Sequence, residues 1–155
     1  MRHRQIGRRL DMDGALRRAM FRNMATSLML HGQVRTTVPR AKELRRFAER
    51  LITIGKRAPS QAALAALSGD DLTAAKADRV AAYRRVAAFL MNDDAVTRVM
   101  TEYADRFQSR PGGYTRIVKL SRRRPGDNAA MAVIQLVEAY EPAAATEGES
   151  ASAAE

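Results

Sequence analysis

The sequence predicts an α+β fold: about four helices packed with a small, mostly antiparallel sheet, an extended basic N-terminal arm and a disordered acidic C-terminal tail. Three observations predict it. Apolar residues recur at helical spacing through four stretches between residues 14 and 107, as helices with one buried face require. Beyond Pro111-Gly112-Gly113 the pattern becomes strand-like, over 114–120 and again over 130–137. The two ends of the chain lack any sustained apolar period. The expected layout is an arm over 1–12, one globular domain over 13–140 and a tail over 141–155, with no internal repeat.

The elements follow in order. Leu16, Met20, Met24 and Leu28 recur every fourth residue, with Phe21 and Ala25 beside them, so the first helix spans Gly14 to His31. Asp13 is placed to cap its start, and Gly32 to end it in the left-handed conformation. Val34–Val38 is short and β-branched, a strand or an extended connector. Pro39 opens a second helix with Leu44, Phe47, Ala48, Leu51 and Ile54 on its buried stripe and Gly55 at its close. Residues 58–70 read as a short helical piece or a loop. Asp70-Asp71 are placed to cap a helix carrying Val80, Tyr83, Val86, Ala87 and Leu90, and Asn92 with Asp93-Asp94 caps a fourth bearing Val96, Val99, Met100, Tyr103 and Phe107. The two strands then form an antiparallel hairpin whose tip holds Arg122-Arg123-Arg124 ahead of a Pro-Gly turn.

Composition narrows the function. The 155 residues are 46% hydrophobic, enough for a core, and contain neither cysteine nor tryptophan, which removes disulfide frameworks, zinc ribbons and thiol nucleophiles. No apolar run approaches the roughly 20 residues of a membrane span, and the start of the sequence does not resemble a secretory signal. A transit peptide is acid-poor, whereas Asp11 and Asp13 interrupt this arm. The expectation is a soluble cytoplasmic protein. The two histidines sit near no serine or carboxylate in a nucleophile spacing, so no enzyme activity, cofactor, metal or small-molecule substrate is expected.

Charge is segregated. Residues 1–57 carry a net +11, 58–99 none, 100–126 a net +5, and 127–155 six acids with no base. Only four of the 27 basic residues are lysine; the planar arginine guanidinium grips phosphate with two parallel hydrogen bonds. A polyanion is the expected partner. Arg2, Arg4, Arg8 and Arg9 repel one another until phosphates neutralise them, with His3 to stack or donate; the alternative is a solvated tail. On the first two helices Arg17, Arg18, Arg22, Lys42, Arg45, Arg46 and Arg50 form exposed basic faces, either spanning RNA phosphates or pairing locally with acids such as Glu49. Asn23 either reads a base edge or caps a turn. Gly112 and Gly113 let backbone amides approach a phosphate, flanked by Arg110 and Arg116, or simply turn the chain; Tyr114 stacks on a base or belongs to the core. Lys119 and the tip residues Arg122, Arg123 and Arg124 complete the candidate RNA-binding set.

Several ordered motifs carry a family resemblance. Met1-Arg2-His3-Arg4 with Gly7-Arg8, then Arg22-Asn23-Met24-Ala25-Thr26-Ser27-Leu28, Thr36-Thr37, Ala41-Lys42-Glu43-Leu44-Arg45, Arg110-Pro111-Gly112-Gly113-Tyr114-Thr115-Arg116, and Gly126-Asp127 with Met131-Ala132 together resemble the family of the seventeenth protein of the bacterial large ribosomal subunit. The resemblance extends to about residue 138. It implies an α+β protein in the large subunit, bound to its ribosomal RNA on the solvent side near the nascent-chain exit, beside neighbouring ribosomal proteins. A free nucleoid or regulatory protein is the alternative, yet no convincing helix-turn-helix is present. A membrane-surface protein is the other alternative, and it lacks an anchor.

Overall fold

The computed structural model describes residues 7–137, so Arg2, His3 and Arg4 and the tail lie outside the described residues. Helix α1 spans Gly14–His31, strand β1 Gln33–Thr37, helix α2 Val38–Arg57, a short helix α3 Gln61–Ala65 and helix α4 Gly69–Ala87. Helix α5, Asp93–Arg98, runs on through a π-helical turn, Val99–Tyr103, into the brief α6, Ala104–Arg106. Strands β2, Thr115–Lys119, and β3, Met131–Leu136, follow. The three strands stand in the order β1-β3-β2, both pairings antiparallel, with Val34 opposite Ile134 and Thr115 opposite Leu136. The expected hairpin therefore forms, and the Val34 segment resolves as a strand on the far side of β3. Being central, β3 buries Ala132, Ile134 and Leu136 on one face.

One core joins the helices to the sheet, with Phe107, Leu28, Met29, Leu44, Ile52 and Ile134 fully enclosed. Tyr103 crosses it, its hydroxyl donating to the Met29 carbonyl at 2.8 Å; burial first, then the neighbouring Glu102, raises its phenol above the ordinary value. Gly32 ends α1 as expected, with φ 72° and its N–H on the Leu28 carbonyl. Asn92 Oδ1 accepts from the Asp94 amide and caps α5. Asp13 occupies the N-cap position of α1 without a side-chain bond.

Five sequence expectations need correction. Leu16 is 66% exposed, and α1 buries Phe21, Ala25, Leu28 and Met29 instead. The reason is geometric: at 3.6 residues per turn a strict every-fourth stripe drifts, placing Leu16 about 120° from Leu28. Phe47 stays at the rim, stacked between Phe21 at 5.0 Å and Phe89 at 5.4 Å. Val80 and Tyr83 face outward because α4 turns only Ala82 and Val86 inward, and Ser68, not Asp70-Asp71, holds its cap position. Gly55 does not close α2, which runs to Arg57 and stops at Ala58, held extended before Pro59. Gly55 is instead the seat of the helix on the π-turn: a Cβ there would lie 2.6 Å from the Val99 carbonyl oxygen.

Candidate nucleic-acid interface

The strongest convergence of charge lies where α2 crosses the edge strand β2. Lys42 and Arg45, one turn apart on α2, and Arg116 and Lys119 on β2 line a single cleft of about 560 Å³ over a floor that includes Val38 and Ile117. All four cations are exposed, and no carboxylate among the described residues pairs with any of them. Gln135, opposite Arg116 in the register, accepts from its guanidinium when the carboxamide oxygen is turned toward it, which orients the fork. The floor is fixed by packing of α2 on the sheet and by Thr115 Oγ1 donating to Glu49 Oε1 at 3.1 Å. A rigid scaffold thus presents four unpaired cations along one trough, where low-dielectric walls concentrate their field.

The arm begins beside this trough. Arg8 lies 3.7 Å from Glu43 on α2, which also meets Arg46 at 3.9 Å, so one half-buried carboxylate ties the root of the arm to the helix. Arg9, Arg18 and Asn23 are exposed, Arg17 partly so, and Arg50 stands apart on another side of α2. There it rims a mostly apolar cleft of about 370 Å³ with Phe47, Ile54 and Phe89, opposite Arg85. Arg85 was not legible as a partner of Arg50, because it lies in the charge-neutral stretch and only the α2–α4 packing brings it near.

Other cations serve the fold. Arg22 Nε donates to the Phe89 carbonyl at 2.8 Å, tying α1 to the segment just past α4. Arg98 and Arg79 likewise reach the Leu30 and Pro59 carbonyls, each at 2.6 Å. Tyr114 is 3% exposed, its ring 5.1 Å from Phe107 with Lys56 Nζ 5.9 Å above it, which places it in the core. Lys56 also donates to the Arg110 carbonyl at 2.5 Å, and Arg110 Nε to Gly112 at 3.2 Å; Gly113, at φ 66°, turns the chain into β2. Both glycines are exposed.

The three-arginine tip is partly neutralised by its own loop. Arg124 grips Asp127 with both nitrogens, Nε to Oδ1 at 2.9 Å and Nη2 to Oδ2. That hydrogen bond holds the Asp127 carboxyl down at about 2. Arg123 Nη1 reaches the Asn128 carbonyl at 3.4 Å, and Asn128 sits at φ 53°, a conformation asparagine tolerates. Arg122 remains exposed beside them. Among the described residues there is no group of three His, Cys, Asp or Glu fit to hold a metal, and no helix long and apolar enough to cross a membrane.

The family model described as Ribosomal protein L17 matches residues 20–137. The chain is 44% identical over 150 residues to the large ribosomal subunit protein bL17 of Anaeromyxobacter dehalogenans (strain 2CP-C), covering 96% of this chain and 78% of that protein. It is 43% identical over 155 residues to the bL17 protein of Myxococcus xanthus (strain DK1622), covering 100% of this chain and 96% of that one.

Proposed function

The chain belongs to the ribosomal protein L17 family, proteins of the large ribosomal subunit and not enzymes, and from that premise we propose that it binds and stabilises folded large-subunit ribosomal RNA through arginine- and lysine-phosphate contacts, near the nascent-chain exit and against neighbouring ribosomal proteins. The observation that carries the RNA reading is the cleft between α2 and β2, with Lys42, Arg45, Arg116 and Lys119 around one trough and no acid among the described residues to neutralise them. Phosphates entering it release condensed counterions, and the two elements fix the spacing at which phosphates fit. Shape and backbone contacts are how folded RNA is mostly recognised, so no base-reading side chain is needed. Arg8, Arg9 and the basic residues ahead of them in sequence extend the contact beyond the cleft.

Ultraviolet crosslinking of intact large subunits, with mass spectrometry of the peptide–nucleotide adducts, tests the reading. Adducts are expected on residues 40–46 and 115–119; adducts confined to the outer face of α4, around Val80 and Tyr83, would overturn it. For the exit-side location, a photoreactive group on an emerging nascent chain should label this protein, and consistent absence of label moves it elsewhere.

A further inference from the structure

The cleft has a second polyanion within reach, inside the same chain. Residues 138–155 contain five glutamates, Glu138, Glu141, Glu147, Glu149 and Glu155, and no base. The last described residue before that segment, Val137, lies beside Tyr114, next to the cleft. The Val137 N–H donates to the Tyr114 carbonyl at 2.9 Å, and Leu136 faces Thr115, which lines the cleft at the end opposite Lys119. The strand side of the cleft, five residues long, spans about 13 Å, whereas the 18 residues beyond Val137 reach roughly 60 Å when extended. A reversal is required, because β3 leaves in the direction opposite to β2, and Glu141-Pro142 is suited to making one.

Charge complementarity selects the occupant. The cleft holds four cations that no described carboxylate pairs with, and the charged residues that follow Val137 are all anions. We propose that in the RNA-free protein residues 138–155 fold back along the α2/β2 cleft, setting their carboxylates on Lys42, Arg45, Arg116 and Lys119 and standing in for RNA phosphates. The proposal rests on the reading of the cleft as a phosphate site. Tethering supplies a local concentration on the order of millimolar, while each exposed pair is weak and salt-screened. Such a competitor excludes sparse, nonspecific RNA contacts. It yields to a folded site that engages cleft, arm and loop together.

The experiment uses three full-length variants: one with all five tail glutamates changed to glutamine, one with Lys42→Gln, Arg45→Gln, Arg116→Gln and Lys119→Gln, and one combining both sets. By fluorescence anisotropy on a mixed-sequence RNA duplex at low salt, the tail change should tighten binding roughly three- to tenfold, with the gain gone by about 0.5 M salt. The same tail change in the cleft-neutral background should give no gain. An equal gain there means that the glutamates act on the arm or through overall charge, and overturns the proposal, as does the absence of any gain. Amide and side-chain resonances of Lys42, Arg45, Arg116 and Lys119, recorded without RNA, should differ between the parent chain and the tail-neutral variant. If they differ while cleft neutralisation leaves RNA affinity intact, the phosphate reading falls and the tail contact stands; if they coincide, the tail contact falls and the phosphate reading is untouched.

Discussion

The hairpin loop and the α2/β2 cleft make an instructive pair, because the denser sequence signal belongs to the region whose charge is partly paired within itself. Arg122, Arg123 and Arg124 are consecutive, yet Asp127 takes both nitrogens of Arg124 and the Asn128 carbonyl receives Arg123. Three arginines less one aspartate leave a net charge of +2 on an open loop. In the cleft, Lys42 and Arg45 are separated by some seventy residues from Arg116 and Lys119, yet all four border one trough, and no carboxylate among the described residues forms an ion pair with them. Adjacency in the chain forces like charges to share a solvated turn, where they recruit the nearest carboxylate. Convergence in space is enforced by packing, and packing leaves them unpaired.

The test with the largest expected effect removes the cleft. Changing its four cations to glutamine should weaken RNA binding by roughly two orders of magnitude near 0.1 M salt and lower the slope of log affinity against log salt by about 3, read from titrations across salt. An equal loss from Arg122→Gln with Arg123→Gln would abolish the ranking of the two regions, and a larger one would reverse it. The cleft also depends on how α2 is seated. Gly55→Ala gains about 1 kcal/mol in helix propensity but drives a Cβ to 2.6 Å from the Val99 oxygen. The collision with backbone should win, giving a net loss of about 1–3 kcal/mol in chemical denaturation.

A structural cation should behave differently from a cleft cation. Arg22→Gln leaves the Phe89 carbonyl without its donor and should cost about 1–2 kcal/mol of stability, with the salt slope of RNA binding unchanged. A changed slope would put Arg22 back among the phosphate ligands. The smallest effects belong to the loop. Arg122→Gln with Arg123→Gln should alter RNA affinity by less than about threefold, since exposed charges are well screened. The Asp127 carboxyl, held at about 2 against 3.8 when unpaired, contributes to loop order fully above the unpaired value and loses that contribution as pH falls through about 2. A carbon-detected titration of Asp127 should show its midpoint there, and Arg124→Gln should return it toward 3.8.

Much of the architecture was legible because it follows from local pattern. The extent of α1, its glycine stop, the Asn92 cap, the α5 stripe through Phe107 and the β2–β3 hairpin all rest on interactions a few residues apart. What failed was the rotation of helices about their axes. Leu16, Phe47, Val80 and Tyr83 satisfy helical spacing equally well on a rim as in a core, and only the neighbours decide which. Gly55 carries the same ambiguity, since a glycine near a helix end reads as a stop until a partner backbone is found against it. Among the candidate ligands, Arg22 and Tyr114 were drawn into the fold by a carbonyl and an aromatic ring remote in sequence.

The sequence by itself determined that the chain is an arginine-rich α+β protein with segregated charge, no thiol chemistry and the ordered motifs of its family, because composition and local periodicity survive without coordinates. Tertiary structure alone decided which cations are spent on backbone carbonyls, which are paired within a loop, and which four meet along one trough across α2 and β2. Those outcomes depend on distances between residues far apart in the chain, and electrostatic interaction follows distance and burial, not position along the sequence.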